Sequence, residues 1–214
     1  MSPRRSTFLL RNGVRLFFII ASNIAQRNFV DQTIHQLYYH PTVQYKSLIL
    51  DVDGTLVAVG PHKIPSEKVQ ERVRKAKDKV FVSVVSGRPI KWLTELFECL
   101  ELTHPCIING GSQIIDPKTK EILWEKPLTK EAVERVWEII KANNLSFLVN
   151  DNGLEKRNPK AFQFEKPLAM QLTHFESKKD SDELLNIILA IPHVSAHKFF
   201  SWDKDRNYKM EIYI

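Results

Sequence analysis

Two hydrophobic rhythms alternate along the chain from Lys46 onward. Short unbroken apolar runs are followed by stretches in which apolar residues recur every three or four positions. Leu48-Ile49-Leu50 is such a run and ends in Asp51-Val52-Asp53-Gly54-Thr55. Its continuity predicts a strand buried on both faces of a parallel sheet. Pro65-Ser66 then opens a helix, with Ser66 placed to cap it and Val69, Val73 and Ala76 at helical spacing. A second buried strand, Val80 to Val85, stops at Ser86-Gly87-Arg88-Pro89. A helix starts there, with Pro89 in its first turn and Leu93, Leu96, Phe97 and Leu100 as its apolar stripe. A third strand, Cys106 to Ile108, runs into Asn109-Gly110-Gly111. Strand, helix, strand, helix, strand is the order of a doubly wound parallel sheet in an α/β fold.

After Gly111 the pattern changes. Gln113 to Ile115 and Ile122 to Trp124 flank Asp116-Pro117-Lys118 and read as a hairpin. A helix is predicted from about Thr129 to Asn143, with Ala132, Val133, Val136, Trp137 and Ile140 on one face. Phe147 to Asn150 reads as a strand that ends in the turn Asp151-Asn152-Gly153. Ser181 to Ala190 reads as a helix with Asp182 and Glu183 in its first turn. His197 to Trp202 and Tyr208 to Ile214 form a closing hairpin around Asp203 to Asn207. Three parts are expected: an extension over 1–45, a parallel-sheet core over 46–112, and an inserted α+β module over 113–214. Trp124, Trp137 and Trp202 are expected to pack the core of that module.

Composition narrows the function classes. The chain has 214 residues, ordinary apolar and charged fractions and a net charge of +6. That describes a globular protein with a basic surface rather than a long disordered chain. No basic cluster with interleaved aromatic residues follows residue 45, so nucleic acid is not expected as a partner. Cys99 and Cys106 form no CxxC pair, read as small core fillers, and point to a reducing, cytoplasmic setting. The start of the chain is unlike the rest. It holds Arg4, Arg5, Arg11, Arg15 and Arg27 with no acid before Asp31. The run Leu16 to Ala21 is too short to span a bilayer, and Arg11 and Arg15 break up a secretory signal. A disordered tail, a mis-assigned start and an organelle-targeting segment all fit this stretch. No membrane partner is expected.

The chemistry concentrates at two strand ends. Asp51 and Asp53 stand two apart where the first buried strand stops, so their side chains are expected to start on one face. Gly54 permits a tight turn beside a ligand, and Thr55 offers a hydroxyl to a phosphate oxygen. Close carboxylates suit Mg²⁺, which prefers oxygen ligands. Ser86-Gly87 ends the next strand and is followed at once by a helix, whose free N–H groups would hold phosphate. Arg88 could contact phosphate, but it is expected rather to secure the loop or the inserted module. His193 and His197 are four apart but follow Pro192 in an extended stretch, so no metal pair is expected of them; His35 and His40 have no carboxylate neighbour.

Leu50 to Leu56 and Val84 to Pro89 resemble the first and second motifs of the haloacid dehalogenase-like (HAD) superfamily. Asn109-Gly110 followed by a long α+β insert resembles its Cof-type, subclass IIB phosphatases, which carry a cap domain between the second and third motifs. The resemblance covers about residues 46–214. It implies an Mg²⁺-dependent phosphatase acting on a small phosphorylated substrate, a sugar or cofactor phosphate. Asp51 would be nucleophile and metal ligand and would carry an aspartyl-phosphate. Asp53 would be the general acid and a further metal ligand through its carbonyl. Gly54, Thr55, Ser86 and Gly87 would surround the phosphate. The family's later lysine and its GDxxND-like metal loop find no counterpart before Ile214, and Lys209 lies inside the last predicted strand of the cap. The resemblance thus implies a truncated enzyme with Leu48 to Leu50 on an exposed apolar edge, unless Leu16 to Ala21 covers it, which nothing in the pattern of that run compels. A phosphomutase of the same superfamily and a non-catalytic phospholigand-binding remnant are the alternative readings.

Overall fold

The computed structural model describes residues 4–9, 15–20, 45–58, 64–173, 175, 177–200 and 208–213. Within the stretch read as an extension lie two strands, β1 (Arg4–Leu9) and β2 (Arg15–Ile20). They pair antiparallel. β2 then lies parallel against β3 (Ser47–Asp51), with Leu16 opposite Ser47 and Ile19 opposite Leu50. The expected exposed edge at Leu48 to Leu50 is therefore corrected: β2 pairs along that side of β3. Leu16 to Ile20 is too short for a bilayer but long enough for a strand, and its aromatic and β-branched residues favour one. His35 and His40 lie outside the described residues.

From β3 the chain follows the predicted order. α1 (Glu67–Lys77) buries Val73 and Ala76 and leads to β4 (Phe81–Val85), which pairs parallel with β3. Ser66 holds the N-cap position of α1 but its side chain makes no capping hydrogen bond. A single 3-10 turn, Ile90–Trp92, follows Pro89, and α2 (Thr94–Cys99) begins only after it. β5 (Cys106–Ile108) pairs parallel with β4. β6 (Gln113–Ile115) and β7 (Ile122–Glu125) complete a seven-stranded sheet in the order β1-β2-β3-β4-β5-β6-β7. Asp116 shapes the turn between them, accepting hydrogen bonds from the N–H groups of Lys118 (2.7 Å) and Thr119 (2.9 Å). Leu48, Leu50, Val82 and Val84 pack with Val73, Leu96 and Phe97 in the first core. Cys106 is buried there, and burial pushes its thiol up to about 11, which marks it as packing rather than a reactive thiolate.

The described residues divide into two units, one within Met1–Ile108 and Ile114–Leu123, the other within Asn109–Gln113 and Trp124–Ile214. The hairpin expected to open the inserted module is thus mostly the far edge of the first sheet.

The second unit is an antiparallel sheet with helices. α3 (Lys130–Ala142) is capped by Thr129, whose hydroxyl accepts from the Ala132 N–H at 3.2 Å. β8 (Ser146–Asp151), β9 (Leu154–Arg157) and β10 (Pro167–Thr173) follow. α4 (Lys178–Leu189) starts three residues before the prediction because Ser177 caps it, accepting from the Asp180 N–H. β11 (Ser195–Phe200) and β12 (Tyr208–Tyr213) form the predicted last hairpin, with Lys209 inside β12. The order is β11-β12-β10-β8-β9. Its core joins Val136 and Ile140 of α3 to Val149, Met170, Leu172 and Ile188. Trp137 stacks edge-on against Phe147, Phe162 and Phe164. Trp124 does not join this core; it is 46% exposed. Trp202 lies outside the described residues. Among the described residues no helix is long and apolar enough to cross a membrane.

Candidate active site

Asp51 is the last residue of β3, and it stands opposite Val85, the last residue of the parallel strand β4. Ser86 follows Val85 directly. Parallel pairing in this register brings Asp51 and Ser86 to the same end of adjacent strands, where ligands of open α/β sheets bind.

Beyond Asp51 the backbone folds sharply. The N–H groups of Thr55, Leu56 and Val57 all point to the carbonyl oxygen of Val52, at 3.3, 2.9 and 3.0 Å. Gly54 adopts φ 81°, which L side chains rarely tolerate, so glycine is required here. The strand alternation that would put Asp51 and Asp53 on one face therefore ends at Asp51. The two carboxylates meet different surroundings: Asp51 is partly buried, while the Asp53 side chain is 51% exposed.

Burial pushes the Asp51 carboxyl up to about 6, and the neighbouring charge of Asp53 adds to the rise. The Val52 N–H, the Thr55 hydroxyl and Arg88 act in the opposite direction without cancelling it. Thr55 donates to Asp51 Oδ2 at 3.3 Å and is itself buried. Thr55 is thus tied to the Asp51 carboxylate.

Arg88 grips Asp53 with two prongs. Its Nε lies 3.0 Å from Asp53 Oδ2, and a terminal nitrogen lies 2.5 Å from Oδ1. The planar guanidinium matches a carboxylate in this fork geometry, which a lysine cannot copy. The same residue anchors its own loop, because the Arg88 N–H donates to the Ser86 hydroxyl at 3.1 Å. Ser86 is buried, and its N–H bonds the Ile107 carbonyl. Gly87 is exposed between them. The expected α-helix N-terminus beside Ser86 is not there. Pro89 lacks an N–H, and one 3-10 turn intervenes before α2.

Among the described residues no three His, Cys, Asp or Glu side chains cluster as a metal site. His193 sits in a turn at φ 58°, ahead of the strand that carries His197. Asp51 and Asp53 remain the pair suited to a hard cation. A carboxylate that is partly buried and crowded by a second acid, as Asp51 is, gains from a neighbouring positive charge. Mg²⁺ commonly takes only one or two protein carboxylates and completes its shell with water and phosphate. The residues present fit that demand.

A second polar cluster escaped the sequence reading. Asn109, Gln113 and Asn150 are buried, and they join Glu125 and Lys166 in one hydrogen-bonded line. All five belong to the second unit. Asn109-Gly110-Gly111 was visible as a strand stop, but no spacing links it to Asn150 or Lys166.

The chain matches the family model described as haloacid dehalogenase-like hydrolase over residues 48–209. No curated protein matches it at the level of sequence. Solved structures do. A phosphatase of the HAD superfamily from Bacteroides thetaiotaomicron aligns at TM-score 0.63 and 12% identity, over 89% of this chain and 70% of that one. A haloacid dehalogenase-like hydrolase from B. subtilis aligns at 0.62 and 15%, over 78% and 73%. A HAD subclass IIB sugar phosphatase aligns at 0.56 and 18%, over 78% and 69%. At these identities the structural matches speak for the fold. The family match spans most of the chain, including both strand-end motifs, and the chain belongs to the haloacid dehalogenase-like hydrolases.

Proposed function

We propose that this chain hydrolyses a small phosphate monoester with Mg²⁺, through an aspartyl-phosphate on Asp51. The observation that supports the reading is the register of β3 on β4, which pairs Asp51 with Val85, the residue before Ser86, at one sheet end. One Asp51 oxygen attacks the phosphorus, the ester P–O bond breaks, and the departing oxygen takes a proton from Asp53. Water then attacks the phosphorus, gives its proton to Asp53, and the acyl phosphate bond breaks to release inorganic phosphate and the Asp51 carboxylate. In this cycle Asp53 must free one oxygen from Arg88, so the guanidinium positions the acid between steps. The Ser86 hydroxyl and the Gly54 and Gly87 backbone are the groups suited to hold phosphate oxygens. Mg²⁺ would be held by the Asp51 carboxylate and the Asp53 carbonyl, where it neutralises phosphate charge.

A screen of sugar and cofactor phosphates with Mg²⁺, read as released phosphate, tests the reading. Activity is expected in the wild type and lost in Asp51→Asn. Equal phosphate release by both proteins overturns the role of Asp51. An isomerised sugar phosphate in place of free phosphate identifies a mutase instead.

A further inference from the structure

A cleft of about 410 Å³ opens in the second unit between the end of α3 and one face of α4, and every residue lining it belongs to that unit. Asp180, Glu183, Leu184 and Ile187 line it from α4. Their i, i+3, i+4, i+7 spacing places them on a single helix face, so the cleft runs about 10 Å along the helix axis. Phe175 and Leu184 are buried at its floor, each 7% exposed. Asp180 and Glu183 are exposed, and Ile187 is 54% exposed, so this face of α4 is reached directly from solvent.

The chemistry changes along the cleft. On α4 the two carboxylates come first, and the apolar Leu184 and Ile187 follow one turn later. On the other side α3 ends at Asn143, whose N–H and Nδ2 both donate to Ile139 O, at 3.1 and 2.9 Å. A backbone carbonyl only accepts, so Asn143 must turn its Nδ2 that way and keep Oδ1 as an acceptor. Asn144 then takes φ 48°, and Leu145 follows as an apolar part of the lining. Among the described residues that line the cleft there is no Lys, Arg or His. Lys179 approaches Glu183 at 3.7 Å, but the two side chains are 84% and 65% exposed, and an exposed pair of this kind is easily displaced.

We propose that this cleft binds a primary ammonium group carried on a short apolar chain. Its polar rim offers acceptors and negative charge: the Asp180 and Glu183 carboxylates and Asn143 Oδ1. A primary ammonium brings three N–H donors, a positive charge and no acceptor. A carboxylate or phosphate head meets like charge at the same place. The apolar chain leaves water against Leu145, Phe175, Leu184 and Ile187. That apolar half is of no use to a bare metal ion, which seeks oxygen ligands all round. None of the residues assigned to phosphate chemistry lines the cleft, so the binding stands apart from the phosphatase reading.

The test titrates the full chain with hexylammonium at neutral pH, where an alkylamine keeps its proton. The methyl signals of Leu145, Leu184 and Ile187 are followed by NMR and are expected to shift and saturate. Hexanoate has the same chain and the opposite charge and should leave them in place. Methylammonium keeps the head without the chain and should bind at least about tenfold more weakly. Asp180→Asn combined with Glu183→Gln should weaken hexylammonium about tenfold, the size of two exposed charge contacts. Ile187→Ser should weaken it about threefold through lost apolar contact. All three substitutions are at exposed positions, and unchanged signals from the buried Met170 show that the second unit still folds. No saturable shift in the wild type, an equal response to hexanoate, methylammonium as tight as hexylammonium, or unchanged affinity in the double variant each overturns the proposal. No turnover is read, so any of these results leaves the phosphatase reading where it was.

Discussion

At the scale of single residues, the site rests on carboxylates held in unlike surroundings. Asp51 titrates at about 6 in the fold against an ordinary 3.8, chiefly because it is buried. For an acid raised in this way, the charged form opposes folding above about pH 6. That penalty fades as pH falls through the folded value and is gone below the unfolded one. The gap corresponds to roughly 3 kcal/mol. Asp51→Asn should therefore stabilise the metal-free protein by up to that amount at pH 7.5, and the gain should vanish near pH 3.5. Urea unfolding of both proteins in chelator across this range checks the sign. Added Mg²⁺ should shrink the difference at pH 7.5, because a cation relieves the same charge. Arg88 carries the complementary expectation. Arg88→Lys keeps the charge but loses the two-pronged hold on Asp53. It should lower kcat about tenfold or more through misplacement of Asp53, the proposed acid, with unfolding stability changed by less than ~1 kcal/mol because Asp53 is half exposed. A pH profile of kcat separates this from general damage: only loss of positioning moves its limbs.

At the scale of elements, the strands that carry the chemistry were the most legible. β3, β4 and β5 each announce themselves by an apolar run ended by a turn, and all three lie where the pattern puts them. β10 was missed although it is the middle strand of the second sheet. Pro167-Leu168-Ala169-Met170-Gln171-Leu172-Thr173 has almost no β-branched residues, opens on proline and does not alternate. It is a strand because β8 and β12 flank it on either side, a tertiary reason that outweighs propensity. β2 is the opposite case: a strand-like run whose partner no local pattern could name. Removing residues 1–20 should leave β3 unpaired on one side. Such an edge promotes strand pairing between molecules, so the shortened protein should elute as oligomers or precipitate, whereas the full chain should not. Light scattering on an exclusion column reads this directly; an unchanged monomer would show that β3 does not need β2.

At the scale of the whole molecule, the described residues form two cores rather than one. Leu96 is fully buried in the first and Met170 in the second. Leu96→Ala and Met170→Ala should each cost about 2–5 kcal/mol. Each should weaken hydrogen-exchange protection mainly within its own unit, β3 to β5 in one case and β8 to β12 in the other. Equal loss of protection everywhere in either variant would mean that the two units unfold as one.

The amino-acid sequence by itself determined the α/β order of the first unit, the two strand-end motifs and the candidate nucleophile Asp51. Those features are local: a run of apolar residues, a turn that needs glycine, an acid at the point where the strand must stop. Only the tertiary structure decided that residues 15–20 flank β3, that Asp53 is held by Arg88, and that Glu125 and Asn150 are linked through two intervening amides. These depend on pairs of residues far apart in the chain. Their geometry arises only when strands register and side chains lose access to water, so no window along the sequence contains it.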